Sequence, residues 1–218
     1  MNITQNTLDF FTKIQENNNK EWFDANKGQW ENVKKEYAIF MEILQDRILK
    51  VEPIIQKEPK KYLSRINRDF RFSADKSPYR NHVWSLIERH PEEAKPRFYL
   101  QICPQGSFVA TGVWQPDSDT LKRVRQEIDF NGSEFLKIIH KPSFTSCFGD
   151  IQGETLVRPP QGFDTNSPNI NLLKLKQFIV KKEFSDEMVM SENFIDQIVI
   201  TYQEALPFIQ YLDIAVSE

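Results

Sequence analysis

Arg97-Phe98-Tyr99-Leu100-Gln101-Ile102-Cys103-Pro104-Gln105-Gly106-Ser107-Phe108-Val109-Ala110 is the stretch on which the fold turns. Both of its ends alternate apolar and polar positions and are rich in aromatic and β-branched residues, the period-two pattern of strands with one buried face. Between them Cys103-Pro104-Gln105-Gly106 places Pro second and Gly fourth, where a type I turn wants them. The two runs therefore make a β-hairpin. Two further strands are predicted upstream, at 63–67 and 83–88, so the middle of the chain reads as an antiparallel sheet.

Helical periodicity lies on both sides of that sheet. Trp30, Val33, Tyr37, Phe40, Met41, Leu44, Ile48 and Val51 recur at three- and four-residue steps, predicting a long amphipathic helix within 22–51. Asn18 is placed to cap it, with Glu21 completing a capping box, Gly28 to break its first turns from the rest, and Pro53 to end it. Leu8, Phe11 and Ile14 mark a shorter helix before it. After Pro116, Leu121, Val124 and Ile128 follow a cap at Asp117 or Asp119, and Phe135, Ile138 and Ile139 resume beyond an Asn131-Gly132 turn. His140 fits a helix C-terminus. Residues 144–170 read as irregular, and a last helix starts at Ser191 and is expected to kink at Pro207. Helices, strands, then helices predict one α+β domain over 1–218, with an antiparallel sheet of about four or more strands packed by N-terminal and C-terminal helices.

Composition narrows the function classes. The chain has 218 residues, 28 Lys+Arg against 31 Asp+Glu, and a net charge of −3. There is no global basic surplus to hold nucleic acid or anionic lipid, so nucleic acid is an unlikely partner and any anion site is local. No apolar run reaches the roughly 18 residues of a membrane span, and the first residues lack a basic stretch before an apolar one, which points to the cytoplasm. Cys103 and Cys147 are too far apart for a CxxC pair and read as buried thiols, and His82, His90 and His140 lack metal-ligand spacing, so no metal site is expected. No phosphate loop, dinucleotide fingerprint or nucleophile elbow is present, and nothing calls for a cofactor.

One segment departs from the average. Residues 57–80 hold Lys57, Lys60, Lys61, Arg65, Arg68, Arg71, Lys76 and Arg80 against Glu58, Asp69 and Asp75, a net +5 that leaves −8 for the rest of the chain. An extended 65–71 would put Arg65, Asn67, Asp69 and Arg71 on one face, two guanidinium groups able to chelate a phosphate or carboxylate, with Lys76 adding charge. The plainer possibility is a surface strand in which Arg65 and Arg71 pair with Asp69 and Asp75. His82 closes the segment and, with Asp69, is a candidate acid or base beside a bound anion. Asp69 and Asp75 could also recruit magnesium through a bound phosphate. Of the aromatic group Trp22, Phe23, Trp30, Trp84 and Trp114, most belong to the core by spacing, and a minority can wall a pocket over the sheet.

Three functions fit. The first is a pocket for a small phosphorylated or carboxylated ligand, built by 65–82 with Lys20, Trp22, Trp114 and Arg125 as secondary members and with catalysis open. The second is a non-catalytic module that docks an acidic protein partner on the basic island. The third, binding of single-stranded nucleic acid with Phe70, Phe72 and Tyr79 as stacking platforms, is opposed by the remaining −8.

Several blocks together resemble a known family. They are Asn17-Asn18-Asn19-Lys20-Glu21-Trp22-Phe23, Arg68-Asp69-Phe70-Arg71-Phe72-Ser73 with Asp75-Lys76-Ser77-Pro78-Tyr79-Arg80, Gly112-Val113-Trp114-Gln115-Pro116 leading to Leu121 and Arg125, and Pro160-Gln161-Gly162-Phe163. In this order they resemble the bacterial and fungal family of domain of unknown function 2461. The resemblance implies a single α+β domain and no established activity. Two positions depart from the family pattern, Gln161 where a lysine is usual and Ser167 where a histidine often precedes the proline. If those positions serve catalysis in the family, this chain binds without turnover. The second block coincides with the basic island, which singles out Arg68, Asp69, Arg71, Asp75, Lys76 and Arg80.

Overall fold

A computed structural model describes residues 2–71, 73–90 and 96–217 of the chain. The fold is α+β: one open four-stranded antiparallel sheet of order β1-β2-β3-β4, flanked by helices. Its strands are β1 (Val83–Ile87), β2 (Arg97–Ile102), β3 (Ser107–Val113) and β4 (Phe178–Phe184). The predicted hairpin forms, the Gly106 N–H donating to the Cys103 carbonyl at 3.0 Å. Its turn is type II rather than type I, because Gln105 sits at φ +56°. Asp186 steadies that left-handed residue by accepting from its N–H at 2.9 Å.

Residues 63–67 do not form the expected strand. A 3-10 turn occupies Pro59–Tyr62, and Asn67 alone pairs, in an isolated antiparallel bridge with Tyr79. The fourth strand is instead β4, whose run of three apolar residues followed by three charged ones carries no alternation to betray it.

The helices are α1 (Gln5–Glu16), α2 (Lys20–Ala25), α3 (Lys27–Leu49), α4 (Ser118–Ile139), α5 (Pro142–Phe148), α6 (Ile170–Leu173), α7 (Asp186–Met190) and α8 (Phe194–Ser217). The N-terminal pattern splits at Asn26, not at Gly28, and Asn19 rather than Asn18 caps α2, accepting from the Trp22 N–H at 2.9 Å. Asp117 caps α4 through the Thr120 N–H at 2.7 Å. That helix passes through Asn131-Gly132 with a kink at Asn131 where a turn was expected. The short helix α5 falls largely within the stretch read as irregular and α6 begins at its end, and α8 begins at Phe194 and carries Pro207 inside its span. Among the described residues no helix is long and apolar enough to cross a membrane.

The chain divides into two compact units, with β2, β3, β4 and α8 contributing to both. The first holds the chain up to Ile87 with Tyr99–Val109 and Glu183–Ile200. Its core joins Phe10 and Phe11 of α1 to Trp30 of α3, with ring centroids at 5.8 and 6.4 Å, and stacks Phe40 on Phe194. A buried polar chain crosses it: the Tyr37 hydroxyl donates to Ser85 Oγ at 2.7 Å, Ser85 to the Tyr62 carbonyl at 2.7 Å, and the Tyr62 hydroxyl to Gln45 Oε1 at 2.6 Å. Satisfied in this way, the chain locks α3, the 3-10 turn and β1 together and so fixes where the basic segment starts and ends.

The second unit holds Glu88–Phe98, Ala110–Lys182 and the chain from Thr201. Its core gathers Val124, Ile128 and Phe135 of α4, Phe178 and Val180 of β4, and Phe208 and Leu212 of α8.

Candidate functional site

The basic segment is a closed loop on a short antiparallel base. The Arg68 N–H donates to the Pro78 carbonyl at 2.9 Å and the Arg80 N–H to the Ile66 carbonyl at 2.7 Å, which pinches the neck of the loop. Ile66 and Tyr79 bury the neck. The Tyr79 ring stacks on Phe23 of α2 at 4.2 Å, and Asn18, freed from capping, clamps the Tyr79 backbone by donating to its carbonyl at 2.9 Å and accepting from its N–H at 3.0 Å. Two sequence blocks sixty residues apart, roughly a quarter of the chain, thereby act as one fixture.

Most of the loop's charge is spent inside the loop. Arg71 makes a bidentate pair with Asp69, Nε to Oδ1 at 2.9 Å and Nη2 to Oδ2 at 2.7 Å, and that arginine holds the Asp69 carboxyl below its ordinary range. Arg68 pairs with Asp75, whose other oxygen accepts from the Ser77 N–H at 2.9 Å, and the Ser77 side chain, then Arg68 and the Ser77 N–H, hold its carboxyl well below the usual carboxylate range. Lys76 Nζ donates to the Phe70 carbonyl at 3.2 Å. The expected Arg65–Arg71 clamp does not form, because it required strand alternation and 65–71 is not a strand. Arg65 is exposed before the neck, and Asp69 and Asp75 each pair with an arginine. Among the described residues no group of three or more His, Cys, Asp or Glu could hold a metal. Tyr79 is no stacking platform, since Phe23 covers it; Phe70 is 37% exposed, and Phe72 lies outside the described residues.

The exception is Arg80. It is half-buried, it has no ion-pair partner among the described residues, and its Nε is buried without a hydrogen bond. Next along the chain, His82 is also half-buried, with Nδ1 3.1 Å from Asn81 Oδ1, and Asn81 donates to Gln15 Oε1 of α1 at 3.2 Å. Burial, then the charges of Arg80 and Arg68, push the imidazole below its ordinary value, so it is neutral near pH 7. The same Arg80 charge acts on Tyr99, whose hydroxyl burial otherwise raises.

Tyr99 belongs to a row. Alternation sends Val83, Ser85, Ile87, Phe98, Leu100 and Val109 to the core and leaves Trp84, Tyr99, Gln101 and Phe108 half-buried on the other face. There the Trp84 and Tyr99 rings lie 5.8 Å apart with planes at 24°, and those of Tyr99 and Phe108 lie 5.5 Å apart at 32°. The Tyr99 hydroxyl donates to Gln101 Oε1 at 3.0 Å. Sequence reasoning named Trp84 only as one of five aromatics of which a minority could wall a pocket, and it missed Tyr99 and Phe108, although the alternation that predicted the hairpin already put both on one face. Cys103 is half-buried rather than buried, and burial raises its thiol, which makes it a poor nucleophile.

The secondary candidates do not join this corner. Lys20 pairs with Asp24 on α2, and the Trp22 ring rests 6.0 Å from Phe10. Trp114 and Arg125 belong to the second unit, where Trp114 is 63% exposed and Arg125 is buried, giving Nη2 to the Leu175 carbonyl at 2.9 Å. That unit also holds a cleft of ≈ 350 Å³ lined by Lys122, Gln126, Asp129, Phe130 and Gln161, and Ser167 Oγ donates to Asp129 Oδ1 at 3.3 Å. Gln161 and Ser167 thus both lie beside Asp129. A second ≈ 350 Å³ cleft lies between α1 and α3 beside Asp9, Asn32 and Glu36. Neither cleft is lined by residues of 65–82.

Residues 6–211 match the family described as conserved hypothetical protein (DUF2461), and the chain belongs to that family. No curated protein and no solved structure matches it.

Proposed function

We propose that this protein binds a small phosphorylated or carboxylated ligand in the cytoplasm, at the corner made by Arg80, Asn81 and His82 under the neck of the basic loop. What supports the reading is Arg80. A half-buried guanidinium group without a carboxylate partner is costly to maintain, whereas Arg68 and Arg71 beside it have theirs. An anion seated there gains charge-assisted hydrogen bonds. A second reading, a docking surface for an acidic protein, draws on the loop tip, where Arg71 is 76% exposed and Phe70 stands beside it. The two assign different arginines.

Melting curves in inorganic phosphate separate them. A ligand that binds only the native state should raise Tm by about 5–10 °C at a hundredfold excess over its Kd. Arg80→Ala should lose at least about tenfold in affinity, and Arg71→Ala should keep most of it. No shift in the wild-type protein, or equal shifts in all three, would count against the small-ligand reading.

The state of His82 supplies an independent check. Arg80 and Arg68 are the charges that act on it and depress its proton affinity beyond the effect of burial. An anion beside Arg80 offsets both charges, so binding raises the imidazole pKa and takes up a proton. Affinity for sulfate, whose own charge is fixed in this range, should therefore rise as pH falls below neutrality and His82 takes up its proton. Calorimetric titrations between pH 8 and 5.5 should show that slope in the wild type and its absence in His82→Asn.

A further inference from the structure

The ≈ 350 Å³ cleft between α1 and α3 lies in the first unit and shares no lining residue with the Arg80 corner. Two contacts set how its walls run. Thr4, at the start of α1, gives its N–H and its hydroxyl to the two oxygens of Glu36 at 2.9 and 2.6 Å, and the Phe10 ring stacks on Trp30 at 5.8 Å, so the two helices are antiparallel neighbours. Thr7 and Val33 are the buried members of the lining and so form its floor. Thr7 is 1% exposed, and among the described residues its hydroxyl has no hydrogen-bond partner, which leaves it open to whatever the cleft holds. Charge follows an order along the walls. Glu36 at one end and Asp9 midway are half-buried carboxylates without a cationic partner among the described residues; Asp9 accepts from Gln5 Nε2 at 2.8 Å, and Glu36 from Thr4. Lys13, the next turn of α1 beyond Asp9, is exposed and also without an ion-pair partner among them. The lining therefore reads minus, minus, plus, a net −1. At about 1.5 Å per helical residue, Asp9 lies roughly 7 Å from the Thr4 end, where Glu36 is held, and roughly 6 Å from Lys13.

A ligand that answers this order has two cations roughly 7 Å apart and an anion beside one of them. The two nitrogens of free lysine are six bonds apart, roughly 7 Å when extended, and its α-carboxylate adjoins one of them. We infer that the cleft takes a free basic amino acid of lysine's length, its ε-ammonium at Glu36, its α-ammonium at Asp9, its α-carboxylate at Lys13 and its apolar stem over Val33. The Thr7 hydroxyl, between the two carboxylates along the floor, accepts one of the remaining ammonium N–H bonds. L-Lysine, cadaverine, which is the same diamine without the carboxylate, and L-norleucine, the same chain without the ε-ammonium, each titrated calorimetrically against the full chain at low ionic strength, test it. Lysine should bind at least about tenfold more tightly than either. Lys13→Met, a change at an exposed position that keeps the protein folded, should bring lysine down to the affinity of cadaverine, while cadaverine binds at least as tightly as before. Glu36→Gln should bring lysine down to the affinity of norleucine. Lysine binding no better than norleucine overturns the inference, as does lysine binding no better than cadaverine, or a Lys13→Met protein that keeps full affinity for lysine. Binding of none of the three also overturns it, and leaves the Arg80 site, which phosphate tests separately, as it was.

Discussion

Gly112→Ala is expected to be the most damaging single-methyl change in this protein. Gly112 lies in β3 at φ +122°, a conformation that residues with a Cβ rarely adopt. A Cβ there would also collide with the Phe178 carbonyl oxygen of neighbouring β4, a backbone atom that cannot rotate away. Strain at such a φ costs about 1–3 kcal/mol and overpacking against a fixed neighbour about 1–3 kcal/mol more. The sum, about 2–6 kcal/mol, is comparable to the whole stability of a marginal domain. Gly28→Ala is the control, since a Cβ there meets nothing and the residue is helical, so it should gain up to about 1 kcal/mol. Urea unfolding midpoints that move in opposite directions would bear this out. A Gly112→Ala protein as stable as wild type would mean that β3 and β4 do not approach as closely as this.

Gly112 also shows what the sequence made legible and what it hid. The hairpin strands that lead to it announce themselves by alternation, because each has one face in the core and one half in water. β4 has no such asymmetry in its apolar half, where Phe178, Ile179 and Val180 are all buried, so period-two reasoning had nothing to detect. The 65–71 segment failed in the opposite way. Its alternation on paper came from charges that pair within the loop, Asp69 with Arg71 and Arg68 with Asp75, and loop-closing pairs leave no periodic mark. At the candidate site, Arg80 and His82 were legible as types, but their isolation was not: which arginine lacks a carboxylate depends on where every other side chain goes. The Asn18 clamp on Tyr79 was hidden for the same reason, an asparagine before a helix being equally suited to capping.

A buried charge yields the other large effect. Arg89 lies in the charged run Glu88-Arg89-His90-Pro91-Glu92-Glu93, yet its side chain is 3% exposed and pairs with Asp213 of α8, itself 20% exposed, within the second unit. Two charges so deeply placed gain from each other about what they lost on leaving water, so the pair adds little as a whole. Removing one partner is different. Asp213→Ala would take a carboxylate away from a buried guanidinium group and is expected to cost about 3–5 kcal/mol, far more than the loss of an exposed pair such as Lys137 with Glu134. Replacing both members, Arg89→Met with Asp213→Leu, should recover most of that loss, because an apolar pair of similar volume removes both buried charges together. A double-mutant cycle by urea denaturation decides it. If Asp213→Ala and the double variant are equally unstable, the destabilisation comes from lost packing around α8, and the ion pair is not what holds Arg89 inside.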